Sequence, residues 1–159
     1  MFKKHEKHMQ RDLFSFQELL SKSQQKVLIE SEEYKFYELI YCNIDEEIFK
    51  VLYSESYSRP NAPVNSMVAS LILKERNDWS YTDLFKEIGF NLLTKTALGI
   101  NQIEEYPFCQ STLFYFQNKL NEHYLKTGEN LLENVFDKLT AGQLSNLKIK
   151  QTYKERIHS

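Results

Sequence analysis

The sequence predicts an all-α protein: a small multi-helix domain with a helix-turn-helix-like core and a less regular amino-terminal arm. Three observations carry that expectation. Apolar residues recur at helical spacing from Val64 onward, helix-start residues stand just before those runs, and all four glycines fall where a helix is expected to end. The 159 residues are 42% hydrophobic and 14% aromatic, enough to build one buried core and unlike a disordered chain.

The first 57 residues carry the weakest pattern. Leu13, Phe14, Phe16, Leu19 and Leu20 look partly helical, and Val27-Leu28-Ile29 is too short to assign. Tyr34 to Tyr41 is apolar and aromatic, with Phe36, Leu39 and Ile40 inside it. Asp45 stands where it can cap a helix through Ile48, Phe49, Val51 and Leu52. Ser54 to Pro63, with Pro60 and Pro63, reads as a joint. The chain therefore divides into an arm with the first helices (1–57), a helical body (58–147) and a basic tail (148–159).

In the body, Val64, Met67, Val68, Leu71 and Ile72 form one apolar stripe. A helix follows from Pro63, whose missing N–H is no loss in a first turn, to about Arg76 or Asn77. Ser80 then precedes Tyr81, Leu84, Phe85 and Ile88, and Asp83 completes an acidic capping box. Gly89 is expected to end that short helix. A further short helix spans about Leu92–Leu98 and closes at Gly99. After a loop with Pro107, Ser111 is the expected N-cap of a helix carrying Leu113, Phe116, Leu120 and Tyr124 and ending at Gly128. Leu132, Val135, Phe136 and Leu139 mark the last helix, with Gly142 just past its end.

Charge and composition exclude several functions. The formal net charge is −2, which argues against a purely electrostatic nucleic-acid binder. It is unevenly spread: Lys3, Lys4, Lys7 and Arg11 make the start basic, eight acids crowd 28–57, the segment 58–102 is slightly positive, and Lys148, Lys150, Lys154 and Arg156 make the tail basic. Only four arginines occur, so guanine-edge readout has few tools. Cys42 and Cys109 give no disulfide framework and fit a reducing cytoplasm. No apolar run approaches the roughly 20 residues of a membrane span, and no apolar segment follows the basic start as it would in a secretory signal.

Chemical motifs are absent too. There is no glycine-rich phosphate loop, no CxxC pair and no nucleophile elbow. Glu46-Glu47 and Glu104-Glu105 are adjacent pairs that diverge on a helix, and His5 and His8 lie in the basic terminus. No catalytic residue, metal site or cofactor is expected in this chain, nor a small-molecule substrate. Most aromatics fall on stripe positions and are expected to pack; Tyr115 falls off its stripe and is expected at the surface.

Several residue runs resemble a known family. Asn43-Ile44-Asp45, Phe49, Leu52-Tyr53 and Arg59-Pro60-Asn61-Ala62-Pro63-Val64 come first. Leu71-Ile72-Leu73-Lys74-Glu75, Trp79-Ser80-Tyr81-Thr82-Asp83-Leu84 and Ala97-Leu98-Gly99 follow. Pro107-Phe108-Cys109-Gln110-Ser111-Thr112-Leu113, Leu131-Leu132, Phe136 and Leu147-Lys148-Ile149-Lys150 continue the order. Together, over about 40–150, they resemble the amino-terminal domain of insertion-sequence transposases of the DDE class. The resemblance implies recognition of transposon ends as double-stranded DNA, a nucleoid-associated cytoplasmic location, and contacts with a second copy or with a full-length transposase. It implies that cutting belongs to a separate ribonuclease-H-like domain, the only part expected to need a divalent metal. It departs at Gln117, where relatives often have Arg.

The helix from Ser111 is the candidate recognition element, because a capped helix after a tight turn is what a helix-turn-helix lays in the major groove. Ser111 and Thr112 can meet a phosphate at its start, and Tyr115, Gln117, Asn118 and Lys119 can face groove or backbone. Arg59, Lys95 and Lys126 are further candidate phosphate contacts. The alternative is a helical protein–protein interaction or dimerisation module, or a truncated regulatory copy of a transposase.

Overall fold

The computed structural model describes residues 15–53, 63–103 and 106–142. The joint at Ser54 to Pro63 lies, up to residue 62, outside the described residues. So do Arg59, His5 and His8, the Glu104-Glu105 pair and the basic tail. All regular structure among the described residues is helical: α1 (Phe16–Leu19), α2 (Lys22–Ile29), α3 (Glu32–Leu39), two 3-10 helices (Tyr41–Asn43 and Glu46–Leu52), α4 (Val64–Asn77), α5 (Tyr81–Phe90), α6 (Leu92–Ala97), α7 (Gln110–Thr127) and α8 (Leu131–Gly142).

α4 is the axis of the core. The sequence predicts one apolar stripe, yet every residue from Val64 to Leu73 is buried, so this helix is covered on all sides. Its off-stripe positions before Leu73 are small or polar: Asn65, Ser66, Ala69 and Ser70. Buried polar groups are costly unless hydrogen-bonded, and these are. The Ser70 hydroxyl donates to the Ser66 carbonyl at 2.7 Å, and the Ser66 hydroxyl donates to the Leu98 carbonyl at 3.3 Å. The helix ends at Asp78 in the left-handed region (φ 55°), a conformation that a short polar side chain tolerates.

Local punctuation places the neighbours. Ser80 and Asp83 form the expected reciprocal capping box at the start of α5, and Ser21 and Gln24 form another at the start of α2. Ser31 caps α3 by accepting from the Tyr34 N–H. Asp45 caps a helix as expected, but that helix is 3-10 over its whole length. Pro63 stands at the N-cap of α4, one position before the first turn.

The structure corrects two glycine positions. Gly89 does not end α5, which continues to Phe90 before Asn91 caps it. A Cβ at Gly89 would collide with the Tyr106 hydroxyl, so the end of this exposed tyrosine occupies the space that glycine leaves inside the helix. Gly142 is the last described residue of α8 rather than the residue after it.

Residues on the two sides of the expected 57/58 boundary contribute to the same core. Phe36, Ile40, Tyr41, Phe49 and Leu52 share one continuous core with α4, α5, α7 and α8. α3 packs most extensively on α6. Tyr41 is buried and stacked on Tyr37 with ring centroids 5.4 Å apart, and burial raises its hydroxyl pKa to about 12. It lies so close to Gly99 that an added Cβ would meet its ring at 2.6 Å. Arg76 on α4 also reaches Glu32 on α3 at 2.6 Å.

Gly99 and Gly128 both hold positive φ (69° and 73°), but only Gly99 faces a neighbour. Gly99→Ala is expected to destabilise the fold by roughly 2–4 kcal/mol, combining backbone strain with displacement of a packed ring. Gly128→Ala carries only the strain, about 1–2 kcal/mol. Urea unfolding of both variants checks this, and equal losses at the two sites would contradict it.

Candidate nucleic-acid interface

α7 is built with two faces. Leu113 and Phe116 are buried and Leu120 packs partly against the core. Phe116 meets Phe49 of the second 3-10 helix with centroids 5.7 Å apart, which sets the rotation of α7 about its axis. Gln110, Ser111, Phe114, Tyr115, Asn118, Asn121, Glu122 and Leu125 are consequently exposed. The helix closes at Gly128, where His123 and Glu129 pair at 2.8 Å and the Thr127 hydroxyl donates to the His123 carbonyl.

The start of α7 differs from the expectation. Gln110 is the first helical residue and Cys109 the N-cap, so Ser111 lies within the first turn and caps nothing. The Cys109 sulfur sits 3.1 Å from both the Ser111 and the Thr112 hydroxyls. These hydrogen bonds, with the backbone N–H groups of the same two residues, lower its pKa to about 7. Cys42 behaves oppositely, because burial pushes its thiol up. Cys109 was not singled out by sequence reasoning; the signal was a cysteine directly before Gln-Ser-Thr at a helix start.

The candidate contacts have different fates. Ser111, Tyr115, Asn118 and Lys126 are exposed, and Thr112 is half-buried. Ser111, Tyr115 and Asn118 follow i, i+4, i+7 spacing and share one face. Gln117 is turned inward, its side-chain amide bonded to the Tyr81 hydroxyl at 2.8 Å. Lys119 donates to the Leu52 carbonyl at 3.2 Å and lies over the Tyr115 ring at 5.1 Å, so it serves the fold first. Lys95 is corrected outright: it is 1% exposed on α6, with its amine 5.6 Å from the Tyr106 ring centroid, and it cannot reach a phosphate from the core. The structure thus assembles part of the expected set on α7, with few cations beside it.

A cleft of about 150 Å³ lies between α1, α2, α3 and the turn after α6, lined by Leu20, Leu28, Tyr34, Tyr37 and Gly99 among others. Its amides are already used, Gln17 on Asn101 and Gln25 on the carbonyls of Gln17 and Leu20. Among the described residues no group of three or more His, Cys, Asp or Glu is placed to hold a metal, and no helix is long and apolar enough to cross a membrane. No protein-family model, curated protein or solved structure matches the chain.

The two thiols provide a pH test. The thiolate is the reactive form, so alkylation of Cys109 is expected to rise through a midpoint near pH 7. Cys42, whose pKa is raised, should react slowly over the same range. Mass-spectrometric labelling rates across pH check the order; a faster Cys42 at neutral pH would contradict the geometry.

Proposed function

We propose that this chain is a DNA-binding module that recognises transposon ends, of the kind found in the amino-terminal region of insertion-sequence transposases, with strand cleavage performed by a separate catalytic domain. The observation that supports the reading best is the face of α7 that carries Ser111, Tyr115 and Asn118, which the core leaves to solvent from the first helical turn onward. An amide can pair with an adenine edge, an aromatic ring can pack on a sugar or base, and first-turn N–H groups can meet a phosphate. The family resemblance over about 40–150 supplies the link between such a face and transposon DNA.

The charge distribution sets what this binding should look like. Lys126 is exposed, Lys119 is engaged by the Leu52 carbonyl and Lys95 is buried, so few lysines on this face meet phosphates. Counterion release scales with phosphate contacts, so the salt dependence should be shallow for a DNA-binding protein.

Fluorescence anisotropy with a labelled duplex from the DNA flanking the reading frame tests the proposal. Asn118→Ala and Tyr115→Ala are each expected to weaken binding roughly tenfold. Lys126→Gln should weaken it on every sequence and reduce the salt slope by about 1. Absence of binding at low salt, or unchanged affinity in both Asn118→Ala and Tyr115→Ala, would overturn the reading.

A further inference from the structure

The cleft beside α1 has walls that the fold ties together. Gln25 on α2 donates its amide N–H groups to α1, to the Gln17 carbonyl at 3.0 Å and the Leu20 carbonyl at 3.2 Å. The Gln17 amide donates to the Asn101 side chain at 3.3 Å, and the Phe16 N–H donates to the Asn101 carbonyl at 2.9 Å. α1, α2 and the turn after α6 are thus fixed around the cavity.

These bonds use donors and leave acceptors. Among the described residues, neither the Gln17 nor the Gln25 Oε1 accepts a hydrogen bond. Among the described residues that line the cleft, Glu18 is the one charged side chain, and no lysine, arginine or histidine joins it. Glu18 has an interaction of its own elsewhere, and a carboxylate takes several donors at once. Tyr34 and Tyr37 line the same cleft, with ring centroids 6.1 Å apart and planes tilted by 44°. Aromatic faces attract cations. Amide oxygens, a carboxylate and two rings together suit a positively charged donor and repel an anion.

Exposure sets the direction of entry. Leu28 is buried and Leu20 half-buried, whereas Glu18 is exposed, so apolar surface lies inside and charge lies at the rim. We infer that this cleft binds a small organic ammonium ion, its alkyl stem inward against Leu20 and Leu28 and its ammonium at the rim with Glu18. The cavity measures about 150 Å³. A cavity of that volume takes a benzene-sized molecule, so the stem is short, about six carbons. The ligand is a free ion rather than a lysine of a protein partner. A lysine stem is tied to its backbone, so that side chain would have to enter ammonium first, toward the apolar end. Nothing local in the sequence announces such a site, because its walls come from residues 17–37 and 96–101. The inference does not rest on DNA recognition, since no residue of α7 lines the cleft.

Nuclear magnetic resonance titration of the intact chain with hexylammonium chloride tests the assignment, with hexanol and hexanoate as neutral and anionic probes of like stem. Hexylammonium should give saturable shifts at the methyl groups of Leu20 and Leu28. Hexanol should bind roughly tenfold more weakly, and hexanoate should leave those signals unmoved. Nα-acetyl-lysine methylamide, which carries its ammonium on a tethered stem, should leave them unmoved too. Glu18→Gln and Tyr34→Leu should each weaken hexylammonium binding roughly fivefold. Circular dichroism should not change, since neither side chain is buried. Absence of saturable shifts at Leu28, an affinity for hexanol, hexanoate or the lysine derivative equal to that for hexylammonium, or unchanged affinity in both variants would each overturn the inference, whatever the DNA assay shows.

Discussion

The burial of α4 on every side is the constraint to which the other elements answer. A helix with one wet face needs a single apolar stripe, but a helix with none must fill its remaining positions with residues that cost little to bury. Asn65, Ser66, Ala69 and Ser70 meet that need by being small or by bonding within the core. The bond from Ser66 to the Leu98 carbonyl extends the effect, because it ties α4 to the turn after α6, on which Tyr41 and the amino-terminal helices sit. The second 3-10 helix contacts α4, α7 and α8. The orientation of the candidate interface thus follows from the packing of one central helix.

α7 is shaped by what it does not carry. Its solvent side has one acid, Glu122, among amides, hydroxyls and aromatic rings, and its lysines stand off to the flank or are drawn toward the fold. A surface of this kind relies on shape and on directed hydrogen bonds more than on long-range attraction. Such contacts form slowly compared with electrostatically steered ones. This chemistry is what the duplex reading proposed for α7 would draw on.

What could be read from the sequence was local. The span of α4, the Ser80–Asp83 box, the helix ends at Gly99 and Gly128, and the exposure of Tyr115 depend on neighbours within a turn or two, and all are present. What was misread depended on residues distant in the chain. Gly89 looks like a helix stop until Tyr106 is seen to need its empty space. Lys95 looks like a surface lysine because nothing in Leu92–Leu98 announces that it will be buried beside Tyr106. The segment before residue 58 looks like an arm because its apolar residues are clustered rather than periodic. Their partners lie on α4, α6 and α7. Within the site, the inward turn of Gln117 follows from Tyr81, on another helix.

The packing of Tyr41 over Gly99 also bears on how the chain reaches this state. Synthesis runs from the amino terminus, and domains assemble as their segments become available. α1, α2, α3 and Tyr41 emerge well before α6 and its closing turn exist, so for an interval Phe36 and Tyr41 have nothing to cover them. Contacts between segments so far apart also slow folding relative to neighbouring-helix contacts. The amino-terminal helices therefore wait for partners made after them, and a nascent chain stalled before residue 99 would expose part of the aromatic surface that the finished protein hides.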